Sequence, residues 1–269
     1  MAEIRYLGIA GWHLRAGEDS LLIDPYFTRL SLWRALVGYA SPDVEAVAAH
    51  TPPARWVLVT HPHYDHLADV PAVARLTGAR VYASAQGCRL LTLLGTPGEE
   101  IAAGDRLDLG VFRVEVYESR HRTLFRGIPF AGPLRPGLRP PLRVSDFRVD
   151  VQFSFRIQVD GVRVLVASGI DHEPAVEADL LLVGADATRD QLATILGATR
   201  PRLVMPNHWD DLFQPLSKQA RPMFIPPRGV IPSFRRIDLD AFARRVKELC
   251  PGAEVIVPCR FETHRLSPG

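Results

Sequence analysis

An α/β fold of two packed, mixed β-sheets with helices on the outside follows from three features of the sequence. Alternating apolar runs open the chain and return in its middle, where Phe147, Val149, Val151, Phe153, Phe155, Ile157 and Val159 are separated by single residues. Each group of alternating runs leads into a short, continuously apolar segment, Trp56–Thr60 or Leu180–Val183, of the kind that suits a buried strand. Helical spacing fills the intervals after those segments. The order of strands first and βα alternation second is therefore used twice, once in each half of the chain.

Each element has its own local justification. Residues 4–14 and 19–24 alternate and, joined through Ala16-Gly17-Glu18, predict a hairpin. Residues 28–40 space Leu30, Trp33, Leu36, Val37 and Ala40 for a helix, read as core-facing, with an apolar lip at a substrate site as the other reading. After the Trp56–Thr60 strand, Asp69 as N-cap, Pro71 in the first turn and Gly78 past the end predict the next helix. Val81–Ala83 follows as a strand, and Ser84 opens a helix that stops near Gly95, with Cys88 on its core side. Residues 106–118 read as two strands broken at Gly110. Pro129, Pro133, Pro136, Pro140 and Pro141 keep the next stretch irregular. The alternating run then predicts one strand from Phe147 to Val159, turned by Asp160-Gly161 into Val162–Ala167. Strand Leu180–Val183, helix Asp190–Leu196, strand Leu203–Pro206, helix Asp240–Leu249 and strand Ala253–Val257 complete the order. No repeat or linker divides the chain, so residues 1–269 are expected to form one domain.

Composition narrows the function classes. The chain has 269 residues, 47% hydrophobic and 23% charged, which is ample for a hydrophobic core and excludes collagen, coiled coil and a disordered chain. No apolar run reaches the roughly 20 residues of a membrane span. Met1-Ala2-Glu3-Ile4-Arg5 is not the start of a secretion signal. Cys88, Cys250 and Cys259 are an odd count without close pairing, which predicts reduced thiols and a cytoplasmic location. A net charge of +2 argues against a dedicated nucleic-acid binder.

The chemistry is concentrated in Thr60-His61-Pro62-His63-Tyr64-Asp65-His66, directly after a buried strand. Residues i and i+2 of an extended chain point the same way, so His61 and His63 can converge on one ion. Pro62 helps by pushing His61 towards extended geometry. Asp65 and His66 come as the chain turns into the next helix and can face the same cavity from another side. Four ligand-type side chains in six residues exceed what packing requires. Imidazole with carboxylate suits zinc, manganese or iron.

At these residues the sequence resembles the metallo-β-lactamase fold superfamily of metal-dependent hydrolases, whose hallmark is HxHxDH. Leu22-Ile23-Asp24-Pro25 is similar to the branch that contains L-ascorbate-6-phosphate lactonase and N-acyl phosphatidylethanolamine phospholipase D. The resemblance implies an αββα four-layer sandwich. It also implies further ligands: His121 in Glu118-Ser119-Arg120-His121, and His208 in Met205-Pro206-Asn207-His208. The bridging carboxylate it implies is matched best by Asp171, although Ile170 separates it from Gly169 where the family has a Gly-Asp pair; Asp186 is the alternative. Carried over, His61, His63 and His121 hold one ion, Asp65, His66 and His208 the other, and Asp171 bridges. One or two divalent ions, zinc first and manganese or iron next, are the implied cofactors. A metal-bound hydroxide would then attack an ester, lactone, amide or phosphodiester, with Asp65 as the catalytic residue that orients the nucleophile or relays protons.

Charge placement adds an expectation about substrate. Residues 120–148 hold seven Arg and one acid, Asp146, and residues 221–236 hold four Arg and no acid. Both Arg/Pro-rich segments (loops over about 120–146 and 221–236) begin soon after an implied ligand, which predicts loops that overhang the site and favour a small anionic substrate. Arg120, Arg122 and Arg126 are the nearest cations in sequence, with Trp209 beside His208 as a further substrate contact. Phe125, Phe130, Trp209 and Phe224 equally offer an apolar wall for a lipid-like group. Two other classes compete: a mononuclear iron oxidoreductase resembling the persulfide dioxygenases, and a non-catalytic binding protein on the same fold. His13, His50, His172 and His264 are expected in structural, loop or surface roles.

Overall fold

The structure, a computed structural model, describes residues 1–121, 129–169, 173–225 and 235–268. Its first half runs β1 (Glu3–Gly8), β2 (Gly11–Ala16), β3 (Asp19–Ile23), α1 (Leu32–Val37), α2 (Val44–His50), β4 (Trp56–Leu58), α3 (Tyr64–Leu67), α4 (Val70–Thr77), β5 (Arg80–Ala83), α5 (Ala85–Leu93) and β6 (Glu99–Glu100). The second half runs β7 (Arg106–Leu109), β8 (Phe112–Ser119), a 3₁₀ turn at Val144–Asp146, β9 (Gln152–Val159), β10 (Val162–Ala167), β11 (Leu180–Gly184) and α6 (Arg189–Thr199). It ends with β12 (Leu203–Asn207), the short pair β13 (Phe224–Ile225) and β14 (Arg235–Arg236), α7 (Leu239–Leu249), β15 (Glu254–Val255) and β16 (Thr263–Arg265).

Two seven-stranded sheets result, ordered β16-β1-β2-β3-β4-β5-β6 and β15-β12-β11-β10-β9-β8-β7. Both are mixed in the same way. In the first, β1, β2 and β3 pair antiparallel and β3 to β6 parallel. In the second, β7 to β10 pair antiparallel and β10, β11, β12 and β15 parallel. Antiparallel neighbours need only tight turns, whereas parallel ones need a crossover, which is why the helices follow the later strands of each half.

The period of two along a strand sorts side chains into layers. On β3, Leu21 and Ile23 enter the core between the sheets, while Leu22 joins the outer core under the helices. On β4, Trp56 and Leu58 face inward, and Val57 faces Val70 and Val73 of α4 and Leu90 and Leu91 of α5. The inner layer meets Val114 and Val116 of β8 and Phe153, Phe155 and Ile157 of β9. Leu192 and Ile195 of α6 and Phe242 and Val246 of α7 close the far side. The architecture is the expected α/β arrangement of two mixed sheets with helices outside.

Four expectations change. Residues 4–14 form two strands, because the chain reverses at Ile9-Ala10, with Ile9 at φ 55°. The long strand begins at Gln152, not Phe147. Alternation continues through residues 147–151, but α5 claims them: Ser84 Oγ and the Gln86 amide donate to Asp150 (2.8 and 3.0 Å), and Gln86 Nε2 donates to the Arg148 carbonyl (2.8 Å). The predicted core-facing helix is only α1, and no residue of α1 is buried. Asp69 precedes α4 as expected, yet its carboxylate accepts from Phe27 N, Thr28 N and Thr28 Oγ1 (2.7–2.8 Å), tying the segment after β3 to α4 instead of capping the helix.

His13 is structural and lies in a separate groove with Glu3, Arg5 and Arg15. Ser20 Oγ donates to the Pro53 carbonyl (2.5 Å), so it must accept from His13 Nε2 (2.6 Å). Burial, with help from Arg5 and Arg15, pushes the His13 imidazole down to about 4. The unfolded chain therefore takes up a proton near pH 6.5 that the folded chain refuses until about pH 4. The resulting stability is present in full above about pH 6.5 and is lost as pH falls towards 4, by an amount on the order of 3 kcal/mol. His13→Gln should flatten the pH dependence of the urea midpoint across that window; an unchanged slope would refute the assignment.

Candidate metal centre

The site is assembled from the ends of strands. After β4, His61 and His63 occupy extended chain; His63, at φ −67° and ψ 153°, is the N-cap of α3, whose first turn carries Asp65 and His66. His121 lies two residues past β8, and His208 one residue past β12. β4 belongs to one sheet and β8 and β12 to the other, so the donors meet at one end of the sandwich. The Phe153 amide donates to the Thr60 carbonyl (2.8 Å), stitching the sheets together there.

Two groups of three ligand atoms form. His61, His63 and His121 make one, Asp65, His66 and His208 the other, and within each group the atoms lie within 4.8 Å of one another. His61 and His63 rings are 4.7 Å apart by centroid, His63 and His121 4.7 Å, and His61 and His66 3.9 Å. His208 Nε2 lies 3.3 Å and His66 Nε2 3.9 Å from Asp65 Oδ2.

The hydrogen bonds decide where the imidazole lone pairs point. Asp24 accepts from the Thr60 amide (2.8 Å) and from Thr60 Oγ1 (2.5 Å). With its proton committed, Thr60 Oγ1 can only accept from His61 Nδ1 (3.0 Å), which leaves the His61 lone pair on Nε2. His63 Nε2 donates to the Pro129 carbonyl (2.9 Å), leaving its lone pair on Nδ1. Those two lone-pair atoms stand 3.0 Å apart. His66 Nδ1 donates to Asp24 Oδ2 (2.7 Å), turning Nε2 towards Asp65.

Protonation follows the same logic. Burial, together with His66, His63, His121 and His208, holds His61 well below its ordinary value. Burial likewise pushes His63 down to about 4, against the pull of Asp65 and the bond to Pro129. Burial opposes ionisation of Asp65, yet His66, His208 and His63 hold its carboxyl well below the carboxylate range. His66 is also disfavoured as a cation by burial, but Asp24 and Asp65 overcome this and raise it. The neutral His61 and His63 imidazoles and the ionised Asp65 carboxylate are forms that bind a metal ion. The converging lone pairs of His61 and His63, with no proton between them, fit a divalent cation.

Holding this arrangement requires strain and anchors. Asp24 (φ 45°) and His208 (φ 51°) both occupy the left-handed region, which costs on the order of 1–3 kcal/mol for a side-chain-bearing residue. His208 is pinned through its amide to the Ile9 carbonyl (2.8 Å). Next to it, Asp210 accepts from Tyr6 Oη (2.7 Å) and from the Ile9 amide, and Trp12 Nε1 donates to Asn207 Oδ1 (2.9 Å). On the other flank, Glu173 accepts from Ser119 Oγ (2.5 Å), Ser154 Oγ (2.6 Å) and the Gly169 amide (2.9 Å), joining the end of β8 to the segment after β10. A Cβ on Gly169 would lie 2.5 Å from the Arg120 carbonyl, so only glycine fits. Asp24, Thr60, Asp210 and Glu173 were given no role from sequence, although Asp24 stood in Leu22-Ile23-Asp24-Pro25 and Thr60 at the head of the histidine stretch.

A cavity of about 670 Å³ opens over the donors, lined further by Leu32, Tyr64, Phe130, Asp186, Phe213 and Phe224. Among the expected substrate contacts, Arg120 is exposed and is not part of its described wall. Trp209 is buried in the core, stacked on Tyr6 at 5.8 Å, and does not line the cavity either. It follows His208 in sequence, but the left-handed turn at His208 sends it inward. Asp171, Arg122, Arg126 and Phe125 lie outside the described residues, as does His172. His50 stacks on Phe261 (4.9 Å) at the end of α2, and His264 lies on β16.

Residues 20–209 match the family model described as beta-lactamase superfamily domain. A UPF0173 metal-dependent hydrolase from Symbiobacterium thermophilum is 28% identical over 223 residues, 77% of this chain and 84% of that protein. The fold is similar to that of Igni18, described as a novel metallo hydrolase from the hyperthermophilic archaeon Ignicoccus hospitalis KIN4/I, with a TM-score of 0.62, 18% identity and 99% of both chains covered. It is also similar to CmlA, a diiron beta-hydroxylase from Streptomyces venezuelae, with a TM-score of 0.61, 17% identity, and 98% of this chain and 54% of that one covered. At these identities the solved structures speak for the fold, and none of these matches selects a branch.

Thr60→Val keeps the shape of the side chain but removes the donor to Asp24 and the acceptor for His61. It should destabilise the protein by about 1–3 kcal/mol in urea titration. A loss under about 0.5 kcal/mol would show that this hydrogen-bond chain does not hold the site.

Proposed function

Because the chain belongs to the beta-lactamase superfamily domain family, we propose that it is a metal-dependent hydrolase whose two donor groups hold one or two divalent ions. The observation that carries this reading is the pair of lone-pair atoms, His61 Nε2 and His63 Nδ1, facing each other at 3.0 Å with their protons committed elsewhere. His61, His63 and His121 would hold one ion, and Asp65, His66 and His208 the other. Asp171 is our assignment for the bridging carboxylate, with Asp186 on the cavity wall as the alternative. Zinc suits this imidazole-rich set first, and manganese or iron next.

When bound, the ions supply an acidified water as nucleophile and positive charge for the oxyanion that develops on an ester, lactone or phosphodiester. The chain supplies the rest. Asp65, held ionised and buried among histidines, orients the nucleophile or relays protons. Asp24 holds His66 by its Nδ1 proton, and the Pro129 carbonyl holds His63, so neither ring can turn its donor atom away. Burial of four of the six donors, His61, His63, Asp65 and His66, limits competing water.

An anionic substrate would draw on Arg120, Arg122 and Arg126. Four other described arginines of the two basic segments are occupied: Arg135 with Asp146 (3.6 Å), Arg221 with Asp211 (2.8 Å), Arg148 with the Ala131 carbonyl and Arg236 with the Pro222 carbonyl (2.5 Å). The three free thiols support a cytoplasmic assignment. The likeness to a diiron hydroxylase keeps an iron oxidoreductase as the second reading. Metal quantification followed by an ester, lactone and phosphodiester panel separates the two, since bound iron with oxygen consumption and no hydrolysis would exclude the hydrolase.

His63→Ala should lose metal and hydrolysis together while its circular dichroism stays unchanged; undiminished metal content would refute the ligand assignment. Asp24→Asn should weaken zinc binding about 10–100-fold, read by competition with a chelating dye. Unchanged zinc affinity would show that Asp24 does not position His66.

A further inference from the structure

The cavity wall carries information that the donors do not. Outside the donor groups it is built mainly from Leu32, Phe130, Leu212, Phe213, Met223 and Phe224, and among the described residues no Lys or Arg lines it. Asp211, one of its few charged residues, is already paired with Arg221 at 2.8 Å. Phe130 brings the apolar surface to the metal ligands themselves: its ring meets His63 edge-on, 6.4 Å between centroids. At the opposite end the same surface reaches solvent, where Leu32 is 58% and Phe224 53% exposed.

Large apolar side chains from four separate segments therefore converge on one opening while remaining wet. Filling the core does not require this of Leu32, Phe130, Phe213 and Phe224, all four of which are exposed. Such convergence on a soluble domain marks a place where an apolar ligand covers the surface. Leu32 also opens α1, and Leu36, one turn later on the same helix face, is 70% exposed. Phe130, beside His63, thus shares one apolar track on the cavity wall with Phe213 and Leu32, and α1 extends it beyond Leu32. Phe224 is held in place on that track by the Arg236 guanidinium, 3.9 Å above its ring.

We infer that the substrate is a neutral ester or lactone bearing an apolar acyl chain, which lies on the Phe130–Phe213–Leu32 track while its carbonyl sits over the donor groups. This rests on the hydrolase reading above and specifies its substrate. In the reaction, water adds to the acyl carbon, the bond from that carbon to the ester oxygen breaks, and the released alkoxide takes the proton lost by the water. The products are a carboxylic acid and an alcohol, or a hydroxy acid from a lactone, with no other reactant.

The test uses zinc-loaded full-length protein with p-nitrophenyl acetate, butyrate, hexanoate and octanoate, and with bis(p-nitrophenyl) phosphate as the anionic competitor class. Each added methylene that is buried should raise kcat/KM about threefold to fourfold. Leu32→Ser and Phe213→Ser, both at exposed positions, should flatten that series. Leu76→Ser, at an exposed position on α4 outside the cavity wall, should leave it as steep. A second readout needs no turnover: the neutral fluorophore N-phenyl-1-naphthylamine should bind and be displaced better by 1-octanol than by 1-butanol, and both effects should weaken in the Leu32→Ser/Phe213→Ser double variant. Ester hydrolysis indifferent to chain length, a preference for the phosphodiester, or probe binding unaltered in the double variant would overturn the inference and leave the hydrolase standing. Chain-dependent probe binding that the double variant loses, without hydrolysis of any substrate, would support the apolar subsite and overturn the hydrolase.

Discussion

The carboxylate of Asp24 accepts hydrogen bonds from the Thr60 amide, the Thr60 hydroxyl and His66 Nδ1, and the state of the whole site descends from those three protons. Committing the Thr60 hydroxyl to Asp24 obliges His61 to donate through Nδ1. That choice exposes Nε2 to His63, whose own proton is committed to Pro129. A charged acceptor makes these bonds stronger than neutral ones, and burial raises the cost of leaving any of them unmade. One buried acid thus orients two of the five histidines directly or at one remove, without belonging to either donor group.

Strain at the site is supported by the sandwich around it. Asp24 and His208 hold left-handed backbone conformations where strands end, and each is surrounded by bonds that no rearranged turn could keep. The chain around His208 is tied to β1, to the Ile9 turn and to β2 through Asp210 and Asn207. Glu173 does the same for the end of β8, with Gly169 allowing the close approach. The donors are held by groups far away in sequence, so loss of local order at one strand end would be felt at the others.

Charge and apolarity divide the surface differently from the way they divide the sequence. Arg135, Arg148, Arg221 and Arg236, among the arginines that cluster after the donors along the chain, are spent on carboxylates and carbonyls of their own neighbourhoods. Apolar residues scattered through the chain, from Leu32 to Phe224, gather instead at the cavity. Linear clustering of charge predicted an electrostatic funnel, and the described wall presents hydrocarbon.

By itself the sequence determined what depends on local order. Alternation and turn chemistry specified most strands, the Asp160-Gly161 hairpin and the cap at Ser84, because neighbours in the chain make those bonds. His61, His63, Asp65 and His66 were legible together, since a strand end followed by a helical turn brings them within reach of one another. His121 and His208 were legible only through resemblance. Tertiary structure alone decided the rest. Trp209 turned inward because Tyr6 offers a stacking partner. α1 stayed exposed because no described residue buries its apolar face, although its spacing is that of a core helix. Residues 147–151 left the strand because α5 needed the Asp150 carboxylate. In each case the competing partner lies remote in sequence, and periodicity reports how a segment can be buried without reporting what will bury it.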